Sequence, residues 1–193
     1  MMKLTIVDYG AGNVFSVSSA FHRLGIEPTL SSDHEEIRSS DLVVFPGVGH
    51  AESAMHQLKE NGLDKLLPAL KQPVLGICLG MQLMCESTEE GDTVGLGIFE
   101  GVRVKRFDER LKVPHMGWNE LVNSVGFLTG IQDSVYFVHS YFAPQNKYVV
   151  AEAKYPFEFA AAMEKQNFIG CQFHPEKSGQ VGEFILKRFL TLK

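Results

Sequence analysis

The stretch PVLGICLG at residues 73–80 is an apolar run that ends abruptly at a cysteine set among glycines. A short, continuous apolar run is typical of a strand buried on both faces, and helical spacing follows it. A strand that passes into a helix through G-x-C-x-G has the form of a nucleophile elbow with sulfur replacing oxygen. Gly76 and Gly80 would let the strand and the helix pack closely. We therefore predict a nucleophile at Cys78, and the competing interpretation is a buried structural cysteine.

The same alternation of apolar strand and amphipathic helix extends through the N-terminal half. Lys3–Asp8 (KLTIVD) and Asp41–Phe45 (DLVVF) are predicted strands, with a shorter one at Glu27–Leu30. Apolar residues recur at helical spacing after Lys3–Asp8, at Val14, Val17, Phe21 and Leu24. They recur again after Asp41–Phe45, at Ala51, Ala54, Met55 and Leu58. This alternation predicts an α/β fold with an open, mostly parallel sheet flanked by helices.

The pattern changes after Gly91, where predicted strands follow one another through short connections. These strands span Ile98–Phe107, Glu120–Asn123, Ser134–Phe142, Tyr148–Lys154 and Phe168–Phe173, and an amphipathic helix closes the chain at Gly179–Leu192. Short connections predict antiparallel additions to the sheet in the C-terminal half. Because no repeat, linker or low-complexity segment interrupts the pattern, residues 1–193 are expected to form a single domain.

The composition excludes several classes of function. The chain has 193 residues, of which 45% are hydrophobic and 21% charged, near the averages for globular proteins. A net charge of −5 argues against a broad nucleic-acid footprint, although it leaves local basic patches possible. No apolar run suits a membrane span or a secretory signal. Cys78, Cys85 and Cys171 are too few for a disulfide framework and lack metal-ligand spacing. We expect a cytoplasmic protein without a metal or cofactor.

The tetrapeptide FHPE near the C-terminus supplies a base and an orienting carboxylate. Side chains alternate along the preceding predicted strand, so Cys171 points into the core and His174 to the other face. Pro175 favours an extended backbone at His174, and Glu176 can then accept the second imidazole N–H. A nucleophilic cysteine needs such a base and orienting group. The sequence therefore predicts a triad with Cys78, although His-Pro-Glu alone is more commonly a surface turn.

Two further Gly-rich turns follow predicted strands. Pro46–Gly49 (PGVG), with His50 after it, ends a parallel strand, and sites in open α/β sheets lie beyond such carboxyl ends. Its N–H groups can be aimed at a developing oxyanion, although an ordinary strand-to-helix loop has the same composition. Gly10–Asn13 (GAGN) lacks the third glycine of a dinucleotide fingerprint, because position 15 is Phe15. We therefore expect no nucleotide site there.

Aromatic and histidine residues outside the triad leave several roles open. His115 and His139 lie in aromatic-rich segments and could line a site or a contact surface, and no pair of histidines has zinc spacing. The run YFVHSYF at residues 136–142 alternates like a strand and fits either core or a contact surface. Trp118, predicted to lie in a Gly-containing loop, would be an interface anchor if it were exposed.

Several motifs together resemble those of the class I glutamine amidotransferases. GICLGMQ at 76–82 with FHPE at 173–176 is similar to that family's triad signature, and PGVG resembles its oxyanion loop. Within the family, four segments are most similar to the glutaminase subunits of imidazole glycerol phosphate synthases, from histidine biosynthesis: DYGAGN at 8–13, PGVGH at 46–50, PHMGWN at 114–119 and HPEKS at 174–178.

The resemblance implies a reaction and a set of roles. L-Glutamine would be hydrolysed to glutamate and ammonia through a thioester on Cys78, with His174 as the base and Glu176 orienting it. The remaining implied roles fall on two groups of residues: Val48, Gly49 and Leu79 at the oxyanion, and Gln82, Glu90, Ser140 and Tyr141 around the glutamine. Glu90 would pair with the α-ammonium group, and the Ser140-Tyr141 segment would meet the α-carboxylate.

The resemblance also implies a partner, namely a cyclase subunit with a (β/α)₈ barrel in a heterodimer. Ammonia released into water is largely protonated and no longer nucleophilic, so it must pass to the partner without exposure to solvent. No nucleic acid or membrane is expected to take part. The residues implied at or near the interface are Asn13, Trp118, Tyr136 and Lys177.

Three other interpretations stay open at this point. A cysteine hydrolase or peptidase on the same kind of sheet would share the elbow and a histidine, but it does not account for Gln82 or PHMGWN. A non-catalytic regulatory module would be marked by loss of a triad residue, and all three residues are present. A glutaminase subunit of another synthase would keep the chemistry and change the acceptor of ammonia.

Overall fold

The computed structural model describes residues 2–10 and 12–192, so Ala11 of the first Gly-rich turn lies outside the described residues. Within that part, helices α1 to α6 span Val14–Arg23, His34–Arg38, Ala51–Glu60, Leu63–Ala69, Leu79–Met84 and Gly179–Phe189. Strands β1 to β13 span Leu4–Val7, Thr29–Ser31, Leu42–Gly47, Val74–Cys78, Cys85–Thr88, Thr93–Val94, Phe99–Arg106, His115–Glu120, Ser134–His139, Tyr141–Phe142, Val149–Lys154, Glu158–Lys165 and Phe168–Cys171.

The central sheet has seven strands in the order β11-β12-β13-β4-β3-β1-β2. The five strands from β13 to β2 are parallel to one another. Strands β12 and β11 extend the sheet in antiparallel fashion beyond β13. The predicted sheet, mostly parallel with antiparallel additions from the C-terminal half, is confirmed.

Helices cover both faces of this sheet because the side chains of its strands alternate between two apolar clusters. Ile6 of β1 packs in one cluster with Phe21 of α1 and Leu186 of α6. The adjacent Val7 packs in the other cluster with Leu58 of α3. Over residues 2–10 and 12–192, no helix is long and apolar enough to cross a membrane.

A smaller four-stranded sheet, β10-β7-β5-β6, and a two-stranded hairpin, β8-β9, complete the strands. The hairpin is antiparallel and its register runs from His115 opposite His139 to Glu120 opposite Ser134. The hairpin also adjoins the segment after β13, because the Tyr136 carbonyl accepts the backbone N–H of His174 at 2.9 Å.

The predicted strand at Glu120–Asn123 is wrong in position. The structure places β8 at His115–Glu120, and Val122 makes only an isolated bridge to Glu152. Trp118 consequently lies in a strand and not in a loop. The glycine in PHMGWN favoured a loop, but Gly117 adopts a φ of 137° inside the strand, which the lack of a Cβ permits.

Other differences arise where local patterns are weak. The predicted strand Ser134–Phe142 is divided into β9 and β10, with Ser140 between them. The sequence pattern does not predict β12, because its apolar positions include three successive alanines in place of β-branched residues. Helices α2 and α4 are also missed, since five and seven residues are too few for a clear helical period.

The strand order brings three predicted motifs to one edge of the sheet. Strand β4 lies between β3 and β13, so the carboxyl ends of all three strands are neighbours. Gly47 at the end of β3 pairs with Cys78 at the end of β4, and Cys171 at the end of β13 pairs with Ile77. The elbow, the PGVG loop and the FHPE segment therefore meet where sites form in open parallel sheets.

Candidate active site

Cys78 lies on a strained turn between β4 and α5. Its φ of 54° and ψ of −110° are unusual for a residue with a side chain. A Cβ on Gly80 would lie 2.0 Å from the Phe45 carbonyl oxygen, and one on Gly76 would lie 2.8 Å from the Met84 sulfur. Gly80 is therefore required by the close packing of α5 on the sheet, and Gly76 is favoured there because a Cβ would also lie 3.0 Å from the Met81 backbone nitrogen.

The Cys78 sulfur is nearly buried, and two polar groups lie near it. The side chain of Gln172 approaches Sγ through Nε2 at 3.7 Å. The Val138 carbonyl oxygen lies 3.8 Å from Sγ and can accept the thiol hydrogen. Cys78 is 7% exposed, so this small opening is its access to the adjoining cavity.

His174 and Glu176 form a buried pair in the turn after β13. The Nδ1 atom of His174 lies 2.8 Å from Glu176 Oε1, and both side chains are buried. Nε2 has no hydrogen-bond partner among the described residues, and His174 lines the same cavity as Cys78. Burial by itself lowers the pKa of His174, but the neighbouring Cys78 and Glu176 outweigh it and raise the pKa above its usual value. The imidazole is thus oriented by Glu176 and directed toward Cys78.

One cavity of about 340 Å³ brings most of the predicted residues together. Its lining residues that the sequence predicts are Cys78, His174, Val48, Gly49, Leu79, Gln82, Glu90, Ser140, Tyr141 and Lys177. Glu176 lies behind His174, outside the lining. Two cavities of about 740 and 920 Å³ lie around Lys71 and Pro73, before the start of β4 and at the opposite edge of the sheet.

The PGVG loop continues β3 and then borders the cavity. Gly49 has a φ of 99°, a conformation that favours glycine, and Val48 is exposed. The hydroxyl of Tyr9 donates to the Pro46 carbonyl at 3.1 Å. Burial raises the pKa of Tyr9, so the phenol stays protonated and keeps this hydrogen bond. The segment that follows β1 thereby supports the loop.

The residues predicted to contact glutamine are held by the protein at fixed positions. Gln82 uses both Nε2 hydrogens, donating to the Tyr141 carbonyl and to Gln172 Oε1, each at 2.9 Å. Glu90 Oε2 accepts the Ala51 N–H at the start of α3 at 2.9 Å. These bonds orient an amide and a carboxylate at the cavity wall, where they can meet a polar ligand of about the size of an amino acid.

Comparison with known families identifies the arrangement. The sequence profile of the family described as "Glutamine amidotransferase class-I" matches residues 5–192. The chain belongs to the class I glutamine amidotransferases.

Relatives of this amidotransferase match it over nearly its whole length. "Imidazole glycerol phosphate synthase subunit HisH" of Bacteroides fragilis (strain YCH46) is 51% identical over 99% of this chain and 100% of that protein. The protein of the same name from Escherichia coli (strain K12) is 45% identical, again over 99% of this chain and 100% of that protein. A solved crystal structure of a glutamine amidotransferase shares the fold, with a TM-score of 0.75, 17% identity and coverage of 97% of this chain and 99% of that one.

The four residues that the sequence predicts at an interface lie around the turn that follows β13 of this amidotransferase. Trp118 is 59% exposed and packs edge-on against Tyr136, with ring centroids 6.1 Å apart. Lys177 is exposed and lines the cavity. Asn13 caps α1, which packs against the turn that contains Lys177. The exposed Phe15 of α1, which the sequence does not single out, adds an apolar group beside Asn13.

One further residue of the amidotransferase site is missed by sequence reasoning, and the role of another is left open by it. Gln172 bridges Gln82 and Cys78, and His139 lines the cavity beside Ser140. Side chains alternate along the predicted strand Phe168–Phe173 and the residue after it, which places Gln172 on the same face as His174. This alternation was a signal for Gln172. The aromatic-rich segment around His139 left open whether it lines a site or a contact surface, and the structure places it in the cavity wall.

The other cysteines of the amidotransferase do not take part in the site. Burial raises the pKa of both Cys85 and Cys171, which keeps them as protonated thiols in the core. Across residues 2–10 and 12–192, no group of three or more His, Cys, Asp or Glu side chains could hold a metal ion.

Proposed function

We propose that this chain is the glutaminase subunit of an imidazole glycerol phosphate synthase. It hydrolyses L-glutamine to glutamate and ammonia and passes the ammonia to a cyclase subunit in histidine biosynthesis. The observation that carries the proposal is that Cys78 and His174, the latter held by Glu176, border one cavity at the ends of adjacent strands. Full-length similarity to two synthase subunits supports the choice of synthase.

The acylation step uses the triad. Cys78 Sγ attacks the side-chain amide carbon of glutamine while His174 Nε2 takes the thiol proton. His174 then delivers that proton to the departing nitrogen, so ammonia leaves and a glutamyl thioester remains on Cys78. Glu176 accepts the Nδ1 hydrogen at 2.8 Å, which keeps the proton-accepting nitrogen of the ring facing the cavity.

Deacylation reverses these roles. A water molecule attacks the thioester carbon, and His174 removes a proton from the water as the new C–O bond forms. The tetrahedral intermediate collapses, the C–S bond breaks, and His174 returns the proton to sulfur. In both steps the oxyanion is held by the Leu79 N–H and an N–H of the Val48-Gly49 peptide, a role supported by the position of these residues at the cavity wall.

The bound glutamine is oriented by the wall opposite the nucleophile. Glu90 offers a carboxylate to the α-ammonium group, and the Ser140-Tyr141 segment meets the α-carboxylate. Gln82 completes the wall, and its hydrogen bond to the Tyr141 carbonyl links the two sides. A cavity of about 340 Å³ is near the lower limit for ligand sites, about 300 Å³, which suits an amino acid.

The ammonia is proposed to pass to a cyclase with a (β/α)₈ barrel that docks around the cavity mouth. The products of the cyclase are imidazole glycerol phosphate and an aminoimidazole carboxamide ribotide. The exposed Trp118, with Tyr136, Lys177 and Asn13, supports docking at this face. We also propose one amidotransferase domain over residues 1–193, supported by a central sheet that joins strands from both halves of the chain.

The test is glutamate release from glutamine, measured for this chain alone and then with the cyclase and its nucleotide ligand. We expect slow release alone and strong activation in the mixture. Equal, vigorous release in both samples would contradict the coupling to a cyclase. No release in either sample would contradict the glutaminase itself.

Two variants separate the chemistry from the docking. Cys78→Ala should abolish glutamine-dependent synthesis while ammonia-dependent synthesis by the cyclase continues. Trp118→Ala should weaken binding of the cyclase by about 30-fold, the effect of a loss of about 2 kcal/mol at an interface anchor. Leu30→Ala, an exposed apolar residue of β2, is the control and should leave binding unchanged.

A further inference from the structure

A line of hydrogen bonds runs from the β8-β9 hairpin to the cavity wall. The side-chain amide of Asn119 lies 3.3 Å from His115 Nε2. The other ring nitrogen of His115, Nδ1, lies 3.0 Å from His139 Nε2. His139 Nδ1 in turn lies 2.7 Å from the Tyr141 carbonyl oxygen. Each ring nitrogen of both histidines therefore has one partner.

The acceptors at the two ends determine the direction of this line. The Tyr141 oxygen can only accept, so His139 Nδ1 must carry its hydrogen. At the other end, Asn119 Oδ1 accepts the Glu120 N–H at 2.9 Å, which identifies Nδ2 as the donor toward His115. With both rings neutral, His139 Nε2 accepts from His115 Nδ1, and every group donates toward Tyr141.

The surroundings favour the neutral form of both rings. His115 is stacked between Tyr155 and Phe137, with ring centroids 4.1 and 5.1 Å away. Phe107 and Phe159 each lie with their ring centroids 5.3 Å from that of His139. Burial among these rings lowers the pKa of His115 to about 4 and that of His139 to about 3. A second hydrogen on His139 would face the hydrogen on His115 Nδ1, and a second hydrogen on His115 would face the Nδ2 hydrogens of Asn119.

The Tyr141 carbonyl is the point at which this line reaches the proposed glutamine wall. It accepts from His139 on one side and from Gln82 Nε2, at 2.9 Å, on the other. Gln82 then donates to Gln172, whose own amide approaches Cys78 Sγ. Strand β9 ends at His139 and β10 begins at Tyr141, and the backbone of the intervening Ser140 is held through its carbonyl, which accepts the Phe107 N–H at 3.0 Å.

We propose that His139, supported by His115, is a positioning residue that holds the Tyr141 carbonyl and thereby sets the glutamine-binding wall formed by Ser140, Tyr141 and Gln82. The proposal rests on the proposed glutaminase function, because it assigns these two histidines a role in glutamine binding. His139 does not act as a base, since its ring nitrogens are both engaged, and His174 keeps that role.

The test compares two substitutions of nearly equal shape, His139→Leu and His139→Asn. The asparagine amide can replace Nδ1 as donor to Tyr141, whereas leucine cannot. In the complex with the cyclase and its nucleotide ligand, His139→Leu should raise the KM for glutamine about tenfold, the effect of one lost hydrogen bond of about 1.4 kcal/mol, with a smaller fall in kcat. His139→Asn should stay within about threefold of the wild-type KM.

The reactivity of Cys78 separates positioning from a general disturbance of the structure. In the same complex, mass spectrometry would follow its alkylation by 6-diazo-5-oxo-L-norleucine, which carries the α-groups of glutamine, and by iodoacetamide, which does not. With His139→Leu the first rate should fall about tenfold and the second should stay within about twofold of wild type. His115→Leu should give the same pattern, more weakly.

The outcomes are distinct. A wild-type KM in His139→Leu would overturn the proposal, and so would equal slowing with both reagents or failure of His139→Asn to restore glutamine binding. A wild-type complex that neither releases glutamate nor reacts with the glutamine analogue would contradict the proposed function, and this inference would fall with it.

Discussion

At the level of single residues, Glu176 controls both the orientation and the proton affinity of His174. The carboxylate is buried and contacts Nδ1 at 2.8 Å, so Nε2 is the ring nitrogen left to interact with Cys78. The charge of Glu176 and the sulfur of Cys78 together raise the pKa of His174 against the opposing effect of burial. The orientation and the proton affinity of His174 are therefore set by its neighbours Glu176 and Cys78.

We predict that Glu176→Gln lowers glutamine-dependent kcat by about 10³- to 10⁴-fold, the range expected when an orienting carboxylate becomes an amide. Removing the negative charge should also move the pKa of His174 downward, because one of the interactions that raise it is lost. Steady-state kinetics in the complex and NMR titration of the His174 ring would measure the two effects. An unchanged His174 pKa would contradict the assigned partnership. Glu164→Gln, which leaves the pair intact, is the control.

At the level of elements, the nucleophile depends on how closely α5 packs against β3 and β4. The backbone of Gly80 is so near Phe45 that a Cβ would lie 2.0 Å from its carbonyl oxygen. Gly47 is under the same constraint, since a Cβ there would lie 2.6 Å from the Gly80 nitrogen. The motifs PGVG and GICLG thus pack against each other in a single close contact.

We predict that Gly80→Ala destabilises the protein by about 3 kcal/mol, because α5 must move away from β3 to admit the methyl group. Gly101→Ala is the control: it has open space around its Cβ but a φ of 75°, so it should cost only about 1 kcal/mol. Urea unfolding would measure both values. Equal destabilisation by the two substitutions would contradict the close packing of α5 on β3.

At the level of the whole molecule, two buried neutral histidines connect stability to pH. In the folded state the pKa is about 4 for His115 and about 3 for His139, against about 6.5 in an unfolded chain. Below pH 6.5 the unfolded state therefore binds protons that the folded state does not, and stability falls as the pH falls toward 4. His174 has a raised pKa, so the stability that its protonation adds is already complete below pH 6.5 and does not offset this loss.

We predict that His115→Asn loses less stability on acidification than the wild type. Between pH 7.5 and 5 the wild type should lose about 2 kcal/mol more than the variant, because one buried neutral histidine has been removed. Urea unfolding at each pH would measure the difference. His56→Gln, at an exposed position, should run parallel to the wild type. Parallel curves for His115→Asn would show that His115 is charged or exposed in the folded state.

The parts of the fold and site that the sequence predicts are those with a local cause. The elbow at Cys78 is predicted correctly because its strand, turn and helix are consecutive in the sequence. Its glycines also indicate directly that the helix packs closely on the sheet. His174 and Glu176 are two residues apart, so their hydrogen bond needs only an extended backbone. The prediction misplaces strand β8 because Gly117 favours a loop in the local sequence. In the structure, pairing with β9 overrides that preference.

The amino-acid sequence by itself determined the α/β alternation, the nucleophile turn and the histidine–glutamate pair. Only the tertiary structure decided that β4 lies between β3 and β13, that Gln82 meets Gln172 across the site, and that His115 meets His139 across a hairpin. Periodicity and turn chemistry act over a few residues and therefore leave their mark on local sequence. Contacts between residues far apart in the chain depend on the strand order and register that the packed core selects, and no short segment carries that information.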